Sequence, residues 1–177
     1  MKHCILEDAS FVVAVIDIND KFHNDAVYIF KKILKDRKEI KIIIPSIVFF
    51  ESIITLIKKG IDKNLVEDKL WKFLYILEIL NFPIIETSAF KLCKTLSSGQ
   101  LVNLKTSDYM IVNIGIEFDA QILTFDKKMR NRVRKIYPTI YYCSAIDTDE
   151  DDTERFLKDF DKALGQEGEI DLDDIPF

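Results

Sequence analysis

A chain of 177 residues, 48% hydrophobic and 31% charged, is long enough to pack one core without disulfide or metal staples. Its cysteines, Cys4, Cys93 and Cys143, make no CxxC or Cys/His pattern, which argues against a zinc site and for reduced thiols in a cytoplasmic protein; no signal pattern or apolar run of ~18 residues predicts a membrane span. The formal net charge of −5 is unevenly spread: Asp147 to Phe177 holds 13 acids against 3 bases, and the rest holds 22 bases against 17 acids.

The chain opens with a short apolar run ending in Asp8, and a second apolar run starts two residues later. This predicts a buried strand that delivers Asp8 to its carboxyl end, then a helix from Phe11 to Ile16 with Ser10 in its first turn. Asp20 caps a helix from Lys21 to about Lys35, with Phe22, Ala26, Ile29, Phe30, Ile33 and Leu34 on one face. Ile40 to Ile44 is a β-branched run and reads as the second strand. A helix capped by Ser46 runs to Lys59 and stops at Gly60. Lys63 to Leu80 is amphipathic, and Pro83 leaves Ile84-Ile85 as an edge or weak strand. Ala89 to Leu96 reads as a helix and Ser97-Ser98-Gly99 as a loop. Thr106 caps a helix from Ser107 to Phe118. Ile122 to Phe125 is a strand followed at once by Asp126, Lys127 to Lys135 is a short basic helix, and Thr139 to Cys143 is the last strand. Alternation of this kind predicts a three-layer α/β fold, a mostly parallel sheet with helices on both faces. The composition break at Asp147 sets the expected division, a domain over 1–146 and an acidic helix and tail over 147–177.

Asp8 and Asp126 end strands, Asp108 falls in the first turn of a helix, and Glu51 sits among Ile47, Val48, Phe49, Phe50, Ile53 and Ile54. Each admits a plainer reading: helix cap, turn residue, dipole partner, solvent-facing glutamate. Together they place four carboxylates at one edge of a parallel sheet, where ligands of open α/β folds bind. Four such charges repel and raise one another's pKa, and a hard dication resolves the conflict. Oxygen ligands suit Mg²⁺ or Mn²⁺ better than zinc, which is the equipment of metal-assisted phosphodiester hydrolysis.

The ordered set resembles the PIN-domain family of metal-dependent ribonucleases, above all its compact VapC-like toxins. The likeness starts at LEDASFVVAVIDINDKFHNDA, where Asp8, Ser10, Asp20, His23 and Ala26 fill the family's places. It continues at IPSIVFFESIITLIKKG with Glu51, and ends at TSDYMIVNIGIEFDAQILTFDKKM with Asp108, Thr124 and Asp126. It spans roughly Ile5 to Tyr142. Met129 stands where an aromatic is usual, and the acidic tail lies outside the compact pattern.

The resemblance implies an endoribonuclease using Mg²⁺ or Mn²⁺ held by Asp8, Asp108 and Asp126, with Glu51 binding metal or orienting the attacking water. Ser10 and Thr124 would hold carboxylates from behind. It further implies an RNA substrate, an antitoxin protein as partner, and a homodimer built on the helices around Phe49 and Trp71. Lys127, Lys128, Arg130 and Arg132, with Arg134 and Lys135, are candidates to hold RNA phosphates, with Lys58, Lys59 and Lys105 as weaker ones. His3 and His23 read as surface residues outside the chemistry.

Phe156, Leu157, Phe160, Ala163 and Leu164 recur at helical spacing, and Gly165 ends the pattern; the acidic segment is expected either to pack a helix on the body ahead of a disordered end, or to compete with RNA at the basic residues or dock on a partner. A phosphoaspartyl phosphatase of the HAD type would need an Asp where Ser10 stands, and a receiver domain would need one where Pro45-Ser46 stands. The remaining alternative is a catalytically silent RNA- or protein-binding module of the same fold.

Overall fold

A computed structural model of the chain describes residues 3–35, 40–79, 104–144 and 151–164. The elements are β1 (His3–Glu7), α1 (Ala9–Ile16), α2 (His23–Lys35), β2 (Ile40–Ile43), α3 (Ser46–Lys58), α4 (Lys63–Ile79), α5 (Thr106–Phe118), β3 (Gln121–Thr124), α6 (Lys127–Val133), β4 (Ile140–Tyr142) and α7 (Thr153–Leu164). The strands pair in the order β2-β1-β3-β4, parallel throughout, with Ile5 opposite Ile42 and Gln121, and Leu123 opposite Tyr141. This is the three-layer α/β arrangement that the alternation of elements predicts. Both β3 and β4 are buried along their whole length, which is why their sequences run apolar without a solvent-facing alternation.

From β1 the chain crosses to β2 on one side, then returns past β1 to add β3 and β4 on the other. The crevice where the order reverses therefore opens above the carboxyl ends of β1 and β3, the place where open α/β sheets bind ligands.

The helix α1 is buried on nearly every side, from Ala9 through Val15, so it is a core helix rather than an amphipathic one. On α2 the expected stripe holds: Ala26, Ile29, Phe30, Ile33 and Leu34 are buried, with Phe22 just before the helix. The stop of α3 comes at Gly60, whose φ of +85° suits glycine.

Four details depart from expectation. Pro45, not Ser46, occupies the capping position of α3, and Lys105, not Thr106, that of α5; both are extended and neither makes a side-chain capping hydrogen bond, so the hydroxyls become first-turn residues. β3 and β4 are each slightly displaced or shorter than their apolar runs, leaving Phe125 and Cys143 beyond the ladder. His23 is half-buried and bonds through Nδ1 to the Ala14 carbonyl at 2.8 Å, so it ties α2 to α1 rather than facing water. The expected strand at Ile84-Ile85, the helix from Ala89 to Leu96, the loop at Ser97 and the end of the tail lie outside the described residues.

The acidic segment begins as part of the core. Phe156 and Phe160 of α7 are fully buried, and Phe156 meets Tyr141 of β4 edge-on at 5.4 Å between ring centroids. Asp151, two residues before α7, accepts from the Thr153 amide at 3.0 Å and the Ser144 amide at 2.8 Å and so ties the start of the helix to the chain after β4.

Candidate active site

Asp8 leaves β1 with extended backbone and caps α1, its amide still donating to Leu123 of β3 at 3.0 Å. Two hydroxyls converge on one oxygen of its carboxylate. Ser10 Oγ donates to Asp8 Oδ2 at 2.6 Å and Thr124 Oγ1 donates to the same atom at 2.8 Å. Each hydroxyl in turn accepts from the backbone beyond β3: Phe125 N donates to Ser10 Oγ at 2.7 Å, and Asp126 N to Thr124 Oγ1 at 2.9 Å. The four bonds fix the orientation of Asp8 relative to Asp126. Asp126 accepts from the Met129 amide at 2.9 Å and so caps α6.

Glu51 is half-buried on α3, and Asp108 is buried in the first turn of α5. Asp8, Glu51, Asp108 and Asp126 line one cavity of about 450 Å³, together with Ser10, Ile54, Lys58 and Lys105. The four acids predicted from the sequence are therefore brought together, and the helix-capping roles of Asp8 and Asp126 coexist with this placement. Electrostatics shows the strain. Burial first, then the charge of Asp8, pushes the Asp108 carboxyl up to about 6; Asp126 and Glu51 add to the rise, and Lys105 opposes it. Asp8 is also raised by burial, against the pull of the Ser10 and Thr124 hydroxyls.

Do these residues fit a dication? Among the described residues, no three acid, histidine or cysteine side chains are clustered as a ready-made metal cage. Magnesium does not need one: it keeps several waters and takes one or two carboxylates plus phosphate oxygens. Lys58 and Lys105 line the cavity and Lys105 offsets part of the charge at Asp108, yet neither forms an ion pair with its acids among the described residues, so four carboxylates against two lysines leave a net negative charge. The donor set fits a water-rich magnesium or manganese site.

Among the basic residues, Arg130 departs from expectation. Arg130 is buried, and its Nε and Nη2 donate to Asp152 at 2.8 and 2.9 Å; it faces α7, not the groove. Lys127, Lys128 and Arg132 do not line the cavity, whereas the two lysines ranked lower, Lys58 and Lys105, do. Lys59 is committed to Asp17 at 2.9 Å and to Asp20. Sequence reasoning also passed over Glu7. It is fully buried, neither of its carboxyl oxygens has a hydrogen-bond partner among the described residues, and burial pushes it up to about 8. The signal was its place one residue before Asp8 in a buried strand.

The PIN-domain family model matches residues 5–135, about three quarters of the chain. The chain belongs to the PIN-domain family. Among solved structures, the PIN fold here is similar to that of VapC20 from Mycobacterium tuberculosis, a sarcin-ricin loop cleaving toxin. The TM-score is 0.54 at 13% identity, covering 72% of this chain and 93% of that one, a likeness of fold. A comparison with curated proteins finds no match. The PIN model ends before β4 and α7, so these two elements lie outside the matched residues. No helix among the described residues is long and apolar enough to cross a membrane.

Proposed function

We propose that this PIN domain is a metal-dependent endoribonuclease, acting in the cytoplasm as the toxin of a toxin–antitoxin pair. The observation that carries the reading is a single cavity lined by four carboxylates at the switch point of the sheet, none neutralised by an ion pair among the described residues. Asp8, Asp108 and Asp126 would hold Mg²⁺ or Mn²⁺, with Glu51 beside them. Such an ion, when bound, lowers the pKa of a coordinated water and offsets charge on the phosphate.

The chain's own residues do the rest. Ser10 and Thr124 hold the Asp8 carboxylate in one orientation, as partners behind a ligand do. Glu51, half-buried on α3, orients the attacking water or takes its proton. Water oxygen bonds to phosphorus, the bond from phosphorus to the 3′ oxygen breaks, and the leaving oxygen gains a proton. The products are a 5′-phosphate and a 3′-hydroxyl. Lys127, Lys128 and Arg132 follow Asp126 and would contact RNA phosphates farther along the strand.

A second copy of the chain and an antitoxin protein are the partners proposed with this function. An apolar groove of about 310 Å³ between α3 and α4, lined by Phe49, Ile53, Leu70 and Trp71, supports the expectation that these helices take part in association. A catalytically silent binding module is the second reading, favoured by the lack of a ready-made cage among the described residues. Incubation of total RNA with the full chain in Mn²⁺, against Asp8→Asn and Asp126→Asn, tests both. Cleavage by the parent alone supports the ribonuclease. Equal cleavage by either variant refutes the role of that acid, and no binding of Mn²⁺ by the parent favours the module.

A further inference from the structure

Lys58 on α3 and Lys105 at the start of α5 both line the carboxylate cavity. On α3, Glu51 and Lys58 are seven residues apart, two helical turns on one face, with Ile54 between them 51% exposed to solvent. Lys105 occupies the capping position of α5 and Asp108 its first turn. Each of the two helices thus brings one acid and one lysine to the cavity.

Both lysines are exposed, and neither makes an ion pair or side-chain hydrogen bond among the described residues. The contrast with nearby cations is informative. Lys59, the next residue, is bound by Asp17 and Asp20, and Arg130 is bound by Asp152. Lys58 and Lys105 share a cavity with four acids yet form no ion pair with them among the described residues, although the charge of Lys105 is felt at Asp108.

The charge count gives them a role. Four ionised carboxylates and one dication leave a net of two negative charges in the cavity, which would repel a phosphodiester. Two lysines bring the site to neutrality, so an anionic backbone can enter.

We propose that Lys58 and Lys105 form a two-point clamp on the phosphates flanking the scissile one, holding a single RNA strand across the groove from α3 to the start of α5. The clamp rests on the ribonuclease reading. It contacts backbone only, so it positions the strand without reading its sequence. A lysine suits this role as a mobile point charge on a flexible stem.

The test uses the full chain, a fluorescein-labelled oligouridylate twelve-mer as probe, and Ca²⁺ in place of Mn²⁺ to hold the strand uncut. Anisotropy titrations are run from low to moderate salt on the parent, Lys58→Ala, Lys105→Ala, the double variant and the two Arg replacements. Each alanine is expected to weaken binding by about 3- to 10-fold and to lower the slope of log affinity against log salt by about 0.7, one phosphate contact on a single strand. The double variant loses both contacts, and arginine restores most of each. Circular dichroism checks that the variants fold. Alanine variants that bind within twofold of the parent at unchanged slope overturn the clamp, as does a parent that does not bind the probe. The two failures are separable: if Asp126→Asn is dead in Mn²⁺ while the lysine variants bind normally, only the clamp falls. If Asp126→Asn cleaves like the parent, the ribonuclease reading itself falls.

Discussion

Two buried acids near the carboxyl edge of this sheet receive opposite treatment. Asp152, just before α7, is wrapped in cations: Arg130 grips both carboxylate oxygens, Arg155 Nε lies at 3.3 Å and Arg134 Nη1 at 3.8 Å, and the Tyr142 amide donates at 3.1 Å. Burial works against its charge, yet these partners hold Asp152 below the usual carboxylate range. Asp108 sits in the groove with three more acids and no guanidinium, and it is pushed up to about 6. A fold that grips one buried acid with guanidinium groups leaves another with lysine charge nearby and no ion pair among the described residues. The first arrangement locks α7 to β4 and α6. The second stores repulsion that Lys105 offsets in part and a bound cation would relieve further.

The comparison is broken most directly by removing one acid from each site. Asp8→Asn or Asp126→Asn should lower metal-dependent RNA cleavage by about 100-fold or more, roughly 2.7 kcal/mol of barrier, with melting little changed. Asp152→Ala should do the reverse. It strands a buried guanidinium and should cost about 3–5 kcal/mol of stability, with cleavage per folded molecule retained. Denaturant melts and cleavage rates on the same preparations check the pair. A stable, inactive Asp152→Ala would place that acid in the chemistry and undo the contrast.

A smaller effect comes from behind the groove. Thr124→Val keeps the shape of a buried side chain but removes the donor to Asp8 and the acceptor for the Asp126 amide. About 10- to 100-fold should be lost from metal affinity or activity, measured by Mn²⁺ titration. The groove should also show itself through pH. Asp108 must lose its proton to hold a dication, so Mn²⁺ affinity should fall roughly tenfold per pH unit below about 6, and calorimetry at pH 5 to 7.5 reads it. Asp108→Asn should remove that dependence along with much of the affinity.

Much of this was readable in the sequence because the groove is built from local signals. β-branched runs mark β2 and β3, and an acid at the end of each of two strands marks the switch point, since a strand end fixes where its next residue goes. The caps of α3 and α5 were misread because a hydroxyl preference is weaker than backbone placement: Pro45 and Lys105 take the extended conformation, and the helices begin after them. Arg130 was misread for a different reason. Its partner lies 22 residues on, in a segment whose composition suggests solvent, and no local pattern connects the two. The same holds for Lys58 and Lys105, whose shared cavity depends on how α3 and α5 approach across the sheet.

Glu7 sharpens the contrast in its mildest form, because it is a buried acid with neither guanidinium nor hydroxyl partner among the described residues. Burial raises it from 4.5 to about 8, so the folded chain keeps its proton where the unfolded chain has released it. Between these values the unfolded state binds fewer protons, and stability must fall as pH rises. The stability associated with protonated Glu7 is fully present below about 4.5 and is lost as pH climbs through about 8. Asp152 runs the other way: its depressed carboxyl contributes above the ordinary aspartate range and loses that contribution as pH falls through the folded value. In EDTA, the parent should therefore melt lower at pH 8 than at pH 6, by about 2–4 °C for each kcal/mol lost. Glu7→Gln cannot ionise and should flatten that descent while leaving the acid limb set by Asp152 in place. If Glu7→Gln follows the parent over the whole range, the descent belongs to other groups, and Glu7 does not carry its proton at neutral pH.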